Sequence, residues 1–165
     1  METNVVFNIT VCIIGIAIFL VHTVDLLLKK NKRQDEKNLL IFIVFTIIHF
    51  ATYLTFTFIK ISGSNDTLII SFYTTFYVMN NIESLLLFVY TLTYITVKNK
   101  TKDIIFIVNF ILFAIFIILD VVNVFNHMFF YALDGVYKRT SFMFFSQGYQ
   151  LVTFSLVFFI TVFNK

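Results

Sequence analysis

Five long apolar stretches divide the chain, at roughly Val5–Leu28, Leu39–Ile59, Leu68–Val97, Ile104–Phe125 and Phe142–Phe163, with short polar connections between them. Each reaches the ~20 residues that a helix needs to cross a ~30 Å hydrocarbon core. The third is longer and is expected to tilt or to project beyond the membrane. Proline is absent and glycine occurs only four times, so nothing breaks these runs. In lipid every backbone polar group must bond within its own segment, which makes each run a continuous helix. The pattern predicts an all-α integral membrane fold, a five-helix transmembrane bundle forming a single domain over residues 1–165.

Polar residues recur inside four of these stretches at helical spacing. The second carries Thr46, His49 and Tyr53 on one face, and the third a stripe of Tyr73, Tyr77, Asn80, Glu83, Ser84, Tyr90 and Tyr94. The fourth shows Asn109, Asp120, Asn123 and His127 on a slowly drifting face, and the fifth adds Gln147 and Gln150. An ionisable group at the bilayer centre costs ~2.5–3.5 kcal/mol on insertion scales, so such groups point towards protein or water. Polar faces of this kind meet when helices bundle. With a rise of ~1.5 Å per residue, His49 and Glu83 fall near mid-membrane, while Asp120 and Asn123 lie in the outer third, level with Gln147 and Gln150. This predicts a polar core opening outward above a deeper His–Glu layer. The competing interpretation is packing alone, since Asn, Gln and His often only hold membrane helices together.

Between the fourth and fifth stretches the periodicity changes. In FFYALDGVYKR, from Phe129 to Arg139, aromatic and apolar residues alternate on both sides of an Asp-Gly pair. Asp-Gly in that setting is the strongest short-range hairpin signal, because a type I′ turn needs positive φ at both central residues. Strands are predicted at Phe129–Leu133 and Val136–Arg139 around Asp134-Gly135. A lone hairpin is marginal in water, so it should pack down onto the bundle. Lys138 and Arg139 would then face lipid headgroups, an acidic ligand or Asp120 below, headgroups being the default.

Composition agrees: 59% of the 165 residues are hydrophobic and 13% charged, too apolar for a soluble domain of this length. The placement of charge matters more than its net value of +3. Lys29, Lys30, Lys32, Arg33, Lys37, Lys98, Lys100, Lys102 and Lys165 fall on one side, against Lys60, Lys138 and Arg139 on the other. Nine against three makes the first side cytoplasmic, with the N-terminus and the hairpin outside and the C-terminus inside. The leader METN has no basic residue, so the first stretch is a span and not a cleavable signal. KKNKR is chiefly a topology determinant, although it could also meet anionic headgroups. The single Cys12 packs inside the first span and can form neither an internal disulfide nor a multi-thiolate metal site, and Asp25 is accounted for by an interfacial ion pair.

KKNKRQDEKN leading into the second span, the polar third span and FNHMFFYALDGVYKRTSF before the fifth carry a family likeness. The chain resembles the N-terminal multi-span membrane region of clostridial sensor proteins that end in a GGDEF diguanylate cyclase domain; related regions precede histidine kinases. Thr140 stands where that family often has glycine after the basic residue. The resemblance implies a bacterial cytoplasmic membrane protein, a sensory input module for cyclic-di-GMP signalling. Its output domain would follow the last span, lie outside this chain, and hold two copies together as a homodimer.

On these grounds the chain is expected to be a membrane-embedded sensory domain acting on an unknown small ligand or membrane signal, and not itself an enzyme. Candidate ligand contacts are Asp120, Asn123, Gln147 and Gln150, with Tyr137 and Arg139 as a lid; His49, Asn80 and Glu83 are candidates for buried polar coupling. The alternative is a small polytopic subunit of a transporter or channel, although transporters are typically built from repeats and broken helices. No HExxH, GxSxG or paired catalytic aspartates occur, and no cofactor or metal is expected. The basic segments are short and lack interleaved aromatics, so no nucleic acid is expected as a partner; the lipid bilayer is.

Overall fold

The computed structural model describes residues 3–61, 65–94 and 99–163. Its elements are α1 (Thr3–Leu28), α2 (Gln34–Ile61), α3 (Asp66–Tyr94), α4 (Asn99–Asn126), β1 (Phe130–Leu133), β2 (Val136–Arg139), α5 (Met143–Ser146) and α6 (Gly148–Phe163). Three of the described helices, α1, α2 and α4, are long and apolar enough to cross a membrane. Residues 95–97, the end of the third predicted span, lie outside the described residues. The chain divides into two compact units, Met1–Ser64 and Asn65–Lys165.

The first unit is the pair α1 and α2. Asn8 Nδ2 donates to Tyr53 Oη at 3.2 Å, and the Phe19 and Phe50 rings meet at 6.2 Å between centroids. The basic connection between the helices is occupied locally. Lys32 Nζ donates to the Leu27 and Lys29 carbonyls, two of the acceptors that the end of α1 leaves open. Glu36 reaches back to the Arg33 N–H at 3.1 Å, half of a capping box at the start of α2. The same carboxylate takes Lys29 Nζ at 3.0 Å and holds that ammonium's pKa above its usual value.

The second unit places α3, α4 and α6 together with the hairpin and α5. The buried positions of α3 include Ile70, Thr74, Tyr77, Asn81, Ser84, Phe88 and Thr91, alternating steps of four and three along a single face. Its start is fixed by Asn65, whose side-chain oxygen accepts the Leu68 N–H at 2.8 Å as an N-cap. At the same end of the unit, α4 stops at His127, which takes φ 53°, and the His127 N–H returns to the Asn123 carbonyl at 2.9 Å. That left-handed residue turns the chain straight into β1.

The expected hairpin is present with the expected turn. Asp134 and Gly135 have φ 54° and 71°, and the antiparallel register pairs Phe130 with Arg139 and Leu133 with Val136. The first strand begins at Phe130, one residue later than the alternation predicts, because the Phe129 N–H is taken by the Asn123 side chain at 2.6 Å. The fifth predicted span differs more. It is two helices, α5 and α6, separated at Gln147, whose N–H turns back to the Phe144 and Phe145 carbonyls. Gly148 follows, and a Cβ there would stand 3.0 Å from the Phe116 ring. The break lets the chain approach α4 at a position with no side chain.

Both units turn apolar side chains outward. Val21, Leu28 and Phe125 are among the most exposed residues, while Asn81, Asn109, Asp120, Asn123, Ser146 and Thr153 are fully buried. In water that distribution would be inverted; it suits a lipid surround in which polar groups find partners inside.

Candidate functional site

The site of interest is the end of the second unit where α3, α4, the hairpin and α5 converge. Its floor is an apolar cluster of Ile70, Tyr77, Phe129, Phe130 and Met143, with Tyr73 and Tyr137 packed against it. Strand alternation explains the seating. Phe130, Ala132, Tyr137 and Arg139 share one face of the hairpin, and Tyr131, Leu133, Val136 and Lys138 the other. The Tyr137 ring stacks on Tyr73 with centroids 3.8 Å apart, and Phe130 lies 5.3 Å from the Tyr77 ring. The hairpin is therefore seated on packed aromatic rings, where the sequence suggests a lid above an outward cavity.

Polar groups lock this seat to the helices at three points and close its base at a fourth. Asn123 is fully buried at the end of α4; its Oδ1 accepts the Phe129 N–H at 2.6 Å and the Phe130 N–H at 3.4 Å, and its Nδ2 donates to the Phe130 carbonyl at 3.2 Å. The hairpin tip is held by the first turn of α3, where Asp66 Oδ1 accepts the Gly135 N–H at 2.7 Å. The Tyr77 and Tyr137 hydroxyls lie 3.0 Å apart, and Tyr137 donates onward to the Met143 sulfur at 3.6 Å, so Tyr77 is the donor between them. Thr140 closes the base, its hydroxyl against the Met128 carbonyl and 2.9 Å from that of Phe129.

Beneath the hairpin two polar pairs tie the helices. Asn81 Nδ2 donates to Asp120 Oδ2 at 2.7 Å, joining α3 to α4. Deeper along α4, Asn109 accepts from the Tyr149 hydroxyl at 2.7 Å and donates to Thr153 Oγ1 at 3.3 Å, one turn of α6 closing around one amide. Four buried polar atoms in this unit have no hydrogen-bond partner among the described residues: Thr74 Oγ1, Asn81 Oδ1, Asp120 Oδ1 and Gln150 Nε2.

The sequence-predicted residues thus separate. Asp120 and Asn123 lie in the core, Tyr137 faces it, and Gln150 is partly buried on α6. Gln147 is exposed at the break between α5 and α6. Arg139 is exposed too, its guanidinium 5.8 Å from the centre of the Tyr137 ring. Asn80 bonds its own helix, donating to the Phe76 carbonyl at 3.1 Å. His49 is buried on α2 of the first unit, and Glu83 is half-buried on α3 of the second.

Asn81, Asp66 and Tyr149 are the residues that sequence reasoning passed over. The signal for Asn81 lies in the four-three spacing of α3, which joins Asn81 to Tyr77 and Ser84 where the polar stripe takes Asn80 and Glu83. Among the described residues no cluster of His, Cys, Asp and Glu could hold a metal ion. Comparison with protein-family models, curated proteins and solved structures finds no match to this chain.

Proposed function

We propose that this chain is a sensory input module embedded in a bacterial cytoplasmic membrane. In this reading five segments cross the bilayer, α5 and α6 together forming the last crossing, with the hairpin on the external face and the C-terminus inside. The stimulus, a small ligand or a membrane state, acts by reseating the hairpin on α3. The resulting shift of α3, α4 and α6 passes to an output domain, for which the sequence resemblance implies a diguanylate cyclase.

The observation that carries the reading is the hairpin's mode of attachment. Asn123, Asp66 and Tyr77 bond it from two helices, and all three bonds reach hairpin backbone or a hairpin side chain. Buried backbone N–H groups need partners in any cap; here those partners are side chains of α3 and α4, which ties the seat of the hairpin to the position of both helices, over the packing of the Tyr73, Phe130 and Tyr137 rings. In this reading the latches can be made or broken, and a ligand shifts that equilibrium only by binding the two states unequally. The basic asymmetry of nine residues against three supports the orientation.

The test uses the intact protein in membranes, with cyclic-di-GMP production as the readout. Asp120→Asn together with Arg139→Gln is expected to change output by about 5-fold or more, the usual scale of coupling between sites. Unchanged output would remove these residues from the signal path.

A further inference from the structure

The Asn81–Asp120 contact is incomplete as an amide facing a carboxylate. Both residues are fully buried, and their one recorded bond, Asn81 Nδ2 to Asp120 Oδ2 at 2.7 Å, uses half of each group. The remaining atoms, Asn81 Oδ1 and Asp120 Oδ1, have no partner among the described residues. A carboxylate and a carboxamide oxygen both only accept, so neither can satisfy the other. Each orphaned buried acceptor is costly, and a buried carboxylate whose only recorded partner is a neutral amide is costlier still.

We propose that Asn81 and Asp120 together form a proton-binding site, in which the proton sits on Asp120 Oδ1 and is donated to Asn81 Oδ1. The pair then becomes a ring of two antiparallel hydrogen bonds, acid to amide and amide to acid. One proton, taken from water, removes the buried charge and satisfies both orphaned atoms at once. A water molecule would supply donors but leave the charge in place. The inference goes beyond the sensory reading and does not depend on it.

The titratable and charged groups on the surrounding elements leave this role to Asp120. On α3, Tyr77 is committed to Tyr137, and Glu83 is half-buried two residues beyond Asn81. On α6, Tyr149 donates to Asn109. The hairpin's Lys138 and Arg139 are exposed, as is His127 at the end of α4. Among the described residues no cationic side chain is within salt-bridge distance of Asp120.

The experiment is infrared spectroscopy of the full chain in lipid nanodiscs, with aspartate carboxyls carbon-13 labelled to separate them from Glu83. The expected result is an aspartic acid carbonyl band that persists at neutral pH, shifts in heavy water and disappears in Asp120→Asn. Only carboxylate bands from labelled aspartate at neutral pH would overturn the proposal, and this arm needs no variant to fold. Thermal unfolding gives the second readout. Asp120→Asn supplies an N–H where the acid supplies an O–H, so it should leave the midpoint unchanged, whereas Asp120→Leu should lower it. A wild-type midpoint that rises with sodium or potassium at constant ionic strength, with the rise lost in Asp120→Asn, would make the ligand a metal cation and overturn the proton assignment.

Discussion

Asn123 serves the end of α4 with its backbone carbonyl and the start of the hairpin with its side-chain carboxamide. The chain turns at His127 in the left-handed region, and this brings the N–H groups of Phe129 and Phe130 back over the last turn of α4. Leaving a buried backbone group unpaired costs about 1–3 kcal/mol. Asn123→Ala orphans several such groups and should destabilise the protein by at least that amount, measured by denaturant or thermal unfolding in detergent. Tyr137→Phe removes one hydroxyl from the Tyr77–Tyr137–Met143 chain but keeps the stacked ring on Tyr73, so its cost should be about 1 kcal/mol. At this scale the sequence was partly legible. Asp120 and Asn123 stand out as polar residues in an apolar run. Asn81 did not, because Asn80 beside it fits the broad polar stripe equally well and only the buried face distinguishes the two. Asp66 could not be found either, since its partner lies 69 residues away in the hairpin turn.

Among the elements, the hairpin was the most legible, because its turn is dictated by two residues. Asp134-Gly135 adopts the positive φ values that a type I′ turn requires, and the strands follow with their alternation intact. Its first strand nevertheless starts at Phe130, since strand propensity at Phe129 loses to the Asn123 side chain. Gly135→Ala places a Cβ at φ 71° and should cost about 1 kcal/mol, read from unfolding midpoints. Asp66→Ala removes the acceptor for the Gly135 N–H and should speed exchange of that amide by roughly tenfold, with Asp66→Asn retaining most of the protection. The last apolar stretch was read as one helix because it contains no proline. The interruption at Gln147 comes from tertiary approach, Gly148 meeting the Phe116 ring, and no local pattern announces that.

At the level of the whole chain, apolar faces point outward and polar groups gather within the second unit. Three long apolar helices were legible from composition and run length alone. The third helix is different: Tyr77, Asn81, Ser84 and Thr91 are among its buried residues, so it brings polar groups to the core. The second unit contains every contact of the hairpin described above, together with the Asn81–Asp120 and Asn109–Tyr149 pairs. Residues 65–165 expressed alone in a mild detergent should therefore keep the hairpin and its helical content, as seen by circular dichroism and amide exchange. The hairpin is thus a latched part of the second unit's core and not a surface loop. Amide hydrogen exchange of Phe129, Phe130 and Gly135 in the full chain in nanodiscs tests it most directly. These amides should be protected like the interior of α3 and α4, and Asn123→Ala should speed exchange at Phe129 and Phe130 by roughly 10–100-fold. Exchange in the wild-type protein at the rate of an open loop, unchanged by Asn123→Ala, would contradict it.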